Sequence, residues 1–252
     1  MERSETKKLV VKIGSSTITN GNTKLDSVFI FDIARQVAMI RRDFDYEVAI
    51  VSSGAVASGR LSVSILDQGI VDTQVAAMFG QQELMFAWSD AFRKFNIRTA
   101  QALYNDEDLN QAPPALLRAL QVGVPVINAN DAVDDREIKQ LSVARDNDRL
   151  AGFVARAIRA DFLVLLTDVN GVLDKKGDVL PLVGKLEDIE DLIAGKSRVG
   201  TGGMWSKVNE AKYVAREGTV AVIANGREEN VLLRILQGKT VGTRFLPGFM
   251  LY

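Results

Sequence analysis

Short apolar runs alternate with longer segments whose apolar residues recur every three or four positions, and this alternation spans most of the chain. Leu9-Val10-Val11-Lys12-Ile13 is the first run, and its β-branched character between polar flanks predicts a buried strand. Asp26 stands as an N-cap before a segment reaching about residue 44, in which Ile30, Ile33, Val37 and Ile40 fall on one helical face. Further strands are predicted over 48–51, 98–103, 124–127 and the very apolar 162–166. Helices are predicted over 73–95, over 108–121 with an interruption near Pro113-Pro114, and over 147–159. Asn170-Gly171 and Lys176-Gly177 punctuate 170–180 as a hairpin insert. The segment 205–216 reads as a helix, followed by a strand over 220–224, another helix and a terminal strand. Regular β–α alternation predicts an α/β fold, a three-layer αβα sandwich with a mostly parallel central sheet. With no long linker or internal repeat, residues 1–252 are expected to form a single domain. Its two lobes would divide near residue 160.

Polar residues gather where the apolar runs stop. Lys12-Ile13-Gly14-Ser15, Ser52-Ser53-Gly54-Ala55, Asn128-Ala129-Asn130-Asp131 and Thr167-Asp168 each close a predicted strand. Open α/β sheets bind ligands beyond the carboxyl ends of their strands, so four such ends predict one crevice. Asp146-Asn147-Asp148 opens a helix, and capping that helix requires only one of the three. Lys12 inside a buried strand needs a partner, because an unpaired buried ammonium is costly. Gly200-Thr201-Gly202-Gly203-Met204 leads into the helix over 205–216, and a second phosphate-like glycine loop, Gly14-Ser15-Ser16-Thr17, follows the first strand. Glycines let backbone N–H groups approach an oxyanion, and a helix N-terminus adds partial positive charge. Lys207 lies about one turn into the helix over 205–216, within reach of a phosphate held at its start.

Composition narrows the chemistry. The 252 residues include 31 Lys and Arg against 32 Asp and Glu, so nothing suggests a nucleic-acid footprint. Cysteine is absent, which removes disulfides, thiolate metal sites and a Cys nucleophile. Histidine is absent too, excluding a Ser-His-Asp hydrolase, a phosphohistidine enzyme and a His-ligated zinc site. No metal-ligating cluster is expected. Phosphoryl transfer to a carboxylate needs no general base, since a group with a pKa of roughly 4 is already ionised. No run reaches a membrane span, and residues 1–8 lack the apolar core of a signal peptide. A soluble cytoplasmic protein with no membrane partner is the expectation. Gly195-Lys196-Ser197 resembles the end of a Walker A loop, but the position where that loop needs an earlier glycine holds Glu190. No Gly-x-Gly-x-x-Gly follows any predicted strand, which argues against a Rossmann oxidoreductase.

The segments around Lys12, Ser53, Asn128 to Val133, Asp146 to Asp148, Thr167-Asp168 and Gly200 to Met204 occur in the order found in one family. Together they resemble the glutamate 5-kinases of the amino acid kinase superfamily, over about residues 8–245. The resemblance implies transfer of a phosphoryl group from ATP, accompanied by Mg²⁺, to the γ-carboxylate of L-glutamate, the first step toward proline. It implies that Lys12 and Lys207 neutralise the transferring group and that Asp148 organises them. ATP would be bound by Lys12, Gly14, Ser15, Thr167, Asp168, Thr201, Gly202, Gly203, Met204 and Lys207. The amino acid would be bound by Ser53, Gly54, Ala55, Asn128, Asp131, Asp146 and Asn147. A homo-oligomer, dimer or tetramer, is implied as well.

Departures from the family pattern cluster on the acceptor side. Ala129 stands where the family usually has Glu, and Arg145 where it usually has Gly before Asp-Asn-Asp. Residues 140–144 look like a short insertion, and 110–116 replace a familiar segment. The chain ends at Tyr252, so the C-terminal RNA-modification-type (PUA) domain of many bacterial members is not expected. Both altered positions make the acceptor wall less negative, which would weaken its hold on a substrate ammonium. Alongside the glutamate 5-kinase reading stand two others. One is a sister kinase acting on a glutamate analogue or another carboxylate or phosphate acceptor; the other is a non-catalytic regulator that binds amino acid or nucleotide.

Overall fold

In the parallel strands of this chain, alternate side chains face two different helical layers, and this assigns every polar residue near a strand end to one side or the other. The computed structural model describes residues 6–21, 24–63, 69–105, 107–109, 111–133, 147–174, 176–183 and 203–247. Among them the strands are β1 (Lys7–Ile13), β2 (Tyr46–Ser52), β3 (Thr99–Tyr104), β4 (Val124–Ala129), β5 (Phe162–Thr167), β6 (Leu182–Val183), β7 (Val220–Asn225) and β8 (Thr243–Phe245). They form one sheet in the order β3-β4-β2-β1-β5-β7-β8-β6. Every pairing in it is parallel except β7 with β8.

The described helices are α1 (Ser15–Thr19), α2 (Ser27–Asp43), α3 (Ala55–Ser62), α4 (Ile70–Arg93), α5 (Ala112–Val122), α6 (Asn147–Ala157), α7 (Met204–Arg216) and α8 (Val231–Leu236). Leu9, Val11 and Ile13 of β1 join one core with α2, α4 and α8, while Val10 joins the other with α5, α6 and α7. Lys12 shares the face of Val10, so its side chain is directed at the α6–α7 layer. The sheet winds outward from β1 to β2, β4 and β3 on one side, and to β5 and β7 on the other. The connections leaving β1 and β5 therefore diverge, which opens a crevice at their carboxyl ends.

Two local expectations change. Pro113-Pro114 does not interrupt a helix; the pair lies in the first turn of α5. There a missing backbone N–H costs nothing, because first-turn N–H groups have no intrahelical partner. Helix α4 starts at Ile70, three residues before the sequence suggests, directly after Gly69. The hairpin insert is present as an antiparallel bridge between Leu173 and Val179, with Gly177 at φ +91°. Among the described residues no helix is long and apolar enough to cross a membrane.

Candidate active site

Three charged side chains meet beyond the end of β1. Lys12 arrives from the strand, Asp148 from the first turn of α6 and Lys207 from the first turn of α7. Lys12 Nζ lies 2.6 Å from Asp148 Oδ1, and Lys207 Nζ donates to Asp148 Oδ2 at 3.0 Å. All three are deeply buried, at 5%, 1% and 8% exposure. Burying charge is tolerable only with close partners. By themselves these groups carry one net positive charge, which suits the neighbourhood to an anion. Lys12 lies on a central strand, so it does not reach solvent from a sheet edge as a lone strand lysine would.

The nucleotide-side residues flank this trio. Gly14 follows β1, and a side chain there would extend towards Lys12 Nζ and Thr17 Oγ1, each 3.7 Å from its Cβ. That space is open to a phosphate oxygen. Ser15 opens α1 and is exposed. Thr167 ends β5 next to β1, and its hydroxyl donates to Asp168 Oδ1 at 3.1 Å. Gly203 is the N-cap of α7, and Met204 is its first residue. Asp146, Thr201 and Gly202 lie outside the described residues, as do Arg145, the 140–144 insertion and Gly195-Lys196-Ser197.

On the acceptor side, Asn147 Nδ2 donates to Ser53 Oγ at 2.7 Å, joining the start of α6 to the loop after β2. Gly54, next to Ser53, adopts φ +111°, and a Cβ there would press on Ile18, so the turn into Ala55 and α3 requires glycine. Asn128 faces the other layer. Its Oδ1 accepts from the Ala129 N–H at 2.9 Å, and its Nδ2 donates to Gln81 Oε1 at 3.0 Å. That chain of bonds leaves Gln81 Nε2 buried without a partner among the described residues. The Thr17 hydroxyl, at the end of the first glycine loop, is likewise buried and unpaired among the described residues, whereas nothing in the sequence marks Gln81, which carries no charge and closes no strand. Ala129, Asn130 and Asp131 line a cavity of about 430 Å³ together with Gln81 and Met85 of α4. Ala129 is buried in that wall rather than directed at solvent.

No group of three or more acidic residues gathers as metal ligands among the described residues. Both Asp148 oxygens already meet ammonium groups. The described residues therefore fit a divalent cation that arrives on nucleotide phosphates and needs few protein ligands.

A central sheet wound from β1, glycine turns at its carboxyl edge and two lysines on one carboxylate define a phosphotransferase of the amino acid kinase type. The amino acid kinase family model matches residues 7–225, and the chain belongs to that family. Its curated relatives include the glutamate 5-kinase of Herpetosiphon aurantiacus, 37% identical over 98% of this chain and 70% of the relative. The glutamate 5-kinase of Chromobacterium violaceum is 39% identical over 95% of this chain and 68% of the relative. That of Methylococcus capsulatus is 37% identical over 96% and 68%.

Proposed function

We propose that this chain transfers the γ-phosphoryl group of ATP to the γ-carboxylate of L-glutamate, giving L-glutamyl 5-phosphate and ADP for proline biosynthesis. The observation that carries this reading is the pair Lys12 and Lys207 held on Asp148 at the mouth of β1. A carboxylate oxygen attacks the γ-phosphorus, the bond to the bridging oxygen breaks, and ADP departs. No proton moves, which agrees with a chain that contains no histidine. The transition state spreads negative charge over the transferring oxygens, and the two ammonium groups stabilise it by position and charge. Asp148 keeps both lysines aligned while they await the anion. Gly14, Ser15, Thr167, Asp168 and the loop from Thr201 to Met204 hold the nucleotide. Ser53, Gly54, Ala55, Asn128, Asp131, Asp146 and Asn147 hold the amino acid. When bound with the nucleotide, Mg²⁺ would supply positive charge against the phosphates, beside Lys12 and Lys207.

In this reading residues 1–160 form the acceptor-side lobe and 161–252 the nucleotide-side lobe of one domain. The protein acts in the cytoplasm as a homo-oligomer. The buried Ala129 favours a second reading, a sister kinase with another acceptor, because the cavity wall gains no carboxylate there. One experiment separates the two: ADP release across a panel of amino acids, with hydroxylamine present to trap an acyl phosphate. Hydroxamate formed with L-glutamate above all others is the expected result. Hydroxamate with a different amino acid establishes the second reading, and ADP release without hydroxamate overturns a carboxylate acceptor.

A further inference from the structure

Asp148 and Lys207 sit on two helices whose contact is built around one unusual pair. Asp148, Gly152 and Arg156 are spaced four apart and share one face of α6, while Lys207 and Glu210 are three apart on α7. A Cβ at Gly152 would overlap the Glu210 carboxylate, so that carboxylate occupies the space a side chain at 152 would fill. Arg156 Nη1 donates to Glu210 Oε1 at 2.7 Å, and the Arg156 guanidinium stacks 4.4 Å from the centre of the Tyr213 ring. Glu210 is only 9% exposed. A helix contact on the core side does not by itself call for a buried carboxylate, and the phosphoryl-transfer chemistry does not use this one.

We propose that Glu210 is a positioning residue. It keys α7 onto α6 at Gly152 and thereby fixes the spacing of Asp148 and Lys207, one helical turn above. The proposal rests on the reading of those two groups as part of the reacting site. Truncating Glu210 leaves a gap between the helices and removes the closer carboxylate of Arg156, whose Nε also lies 3.8 Å from Glu217 Oε2. Adding a methyl group at 152 drives the carboxylate out of its seat. Either change shifts the helices at the level that sets the lysine, and a displacement of about 1 Å can cost on the order of 100-fold in rate.

The test is a cycle of Gly152→Ala, Glu210→Ala and the double variant, with Glu210→Gln as the conservative control. ADP release gives kcat and both KM values, and thermal melting reports folding. Each single variant should lose at least about tenfold in kcat, with KM for ATP and for glutamate changed no more than about threefold. The double variant should regain most of the loss, because the methyl group introduced at position 152 refills the space that the carboxylate leaves. Glu210→Gln, which still accepts from Arg156, should keep most of the activity. If Gly152→Ala does not fold, Glu210→Ala and the double variant still decide the matter. Parental kcat in Glu210→Ala, or a double variant no better than Glu210→Ala, overturns the proposal. Parental turnover in Lys207→Ala would instead overturn the reading of the reacting pair, whatever Glu210 does.

Discussion

Lys12 and Lys207 converge on a single carboxylate from a strand and a helix far apart in sequence, and each brings a full charge into a largely dry environment. In the proposed reaction their charge matters most when negative charge redistributes over the transferring phosphoryl group. Lys12→Ala and Lys207→Ala are therefore expected to lower kcat far more than they raise KM for glutamate. Losses of such electrostatic partners run to about 2–4 kcal/mol in transition-state stabilisation. Steady-state kinetics on both variants check this, and near-parental turnover in Lys207→Ala would remove the catalytic role of the glycine loop and its helix. Ala129 belongs to the same scale. Its burial in the cavity wall means that, if the acceptor occupies that cavity as proposed, its small, uncharged side chain bears on the shape and charge the acceptor meets.

At the scale of elements, the start of α2 shows how one side chain ties several segments together. Asp26 Oδ1 accepts from the N–H groups of Val28 and Phe29 at 3.1 and 3.0 Å, and Oδ2 pairs with Arg227 at 2.5 Å. Arg227 also donates to the Thr17 carbonyl at 2.6 Å and lies 4.4 Å over the Phe29 ring. The turn after β7 is thereby pinned to α1 and α2 beside the phosphate-side loop. Burial alone would raise the Asp26 pKa, but the Phe29 N–H, Arg227 and the Val28 N–H outweigh it and hold the carboxyl below its usual 3.8. A depressed folded-state pKa contributes stability that is present above the unfolded value and lost as pH falls through the folded one. Asp26→Ala should cost about 1 kcal/mol at neutral pH, as removal of an N-cap does. The gap between parent and variant in denaturant melts should narrow below about pH 4. A gap that stays constant however far the pH is lowered would show that the carboxylate charge contributes nothing.

For the whole molecule, the outer face of α4 carries the largest concentration of exposed apolar side chains among the described residues. Val71, Phe79 and Phe86 are exposed by 64, 51 and 71%. The helix leads to β3, the strand at one end of the sheet order. An apolar face beside a strand that ends the sheet among the described residues is unfavourable in water and suits burial against another copy. The proposed homo-oligomer should therefore use this face. Light scattering at micromolar concentration should give a mass of at least two chains, and Phe86→Glu should shift it towards one. A parent protein that runs as a single chain would overturn that arrangement.

Apart from the short α1, α3 and β6, the alternation of apolar runs and periodic segments was enough to define the elements, the mostly parallel sheet and the strand ends at which a crevice forms. These depend on periods of two and 3.6 residues and on caps such as Asp26, all properties of neighbouring residues. The need of Lys12 for a partner was also legible, because a charge inside an apolar strand cannot stay unpaired. Which partner it takes was decided by the tertiary structure. Only the winding of the sheet about β1 and β5, and the packing of α6 beside α7, brings Asp148 between residues 12 and 207. The same holds for the start of α5, where the proline pair reads equally as interruption or opening until the preceding chain is in place. Gln81 and Glu210 were silent for a further reason. A polar residue in the middle of a helix looks like surface until the helix is docked, and its burial is set by contacts with residues 47 and 54 positions away.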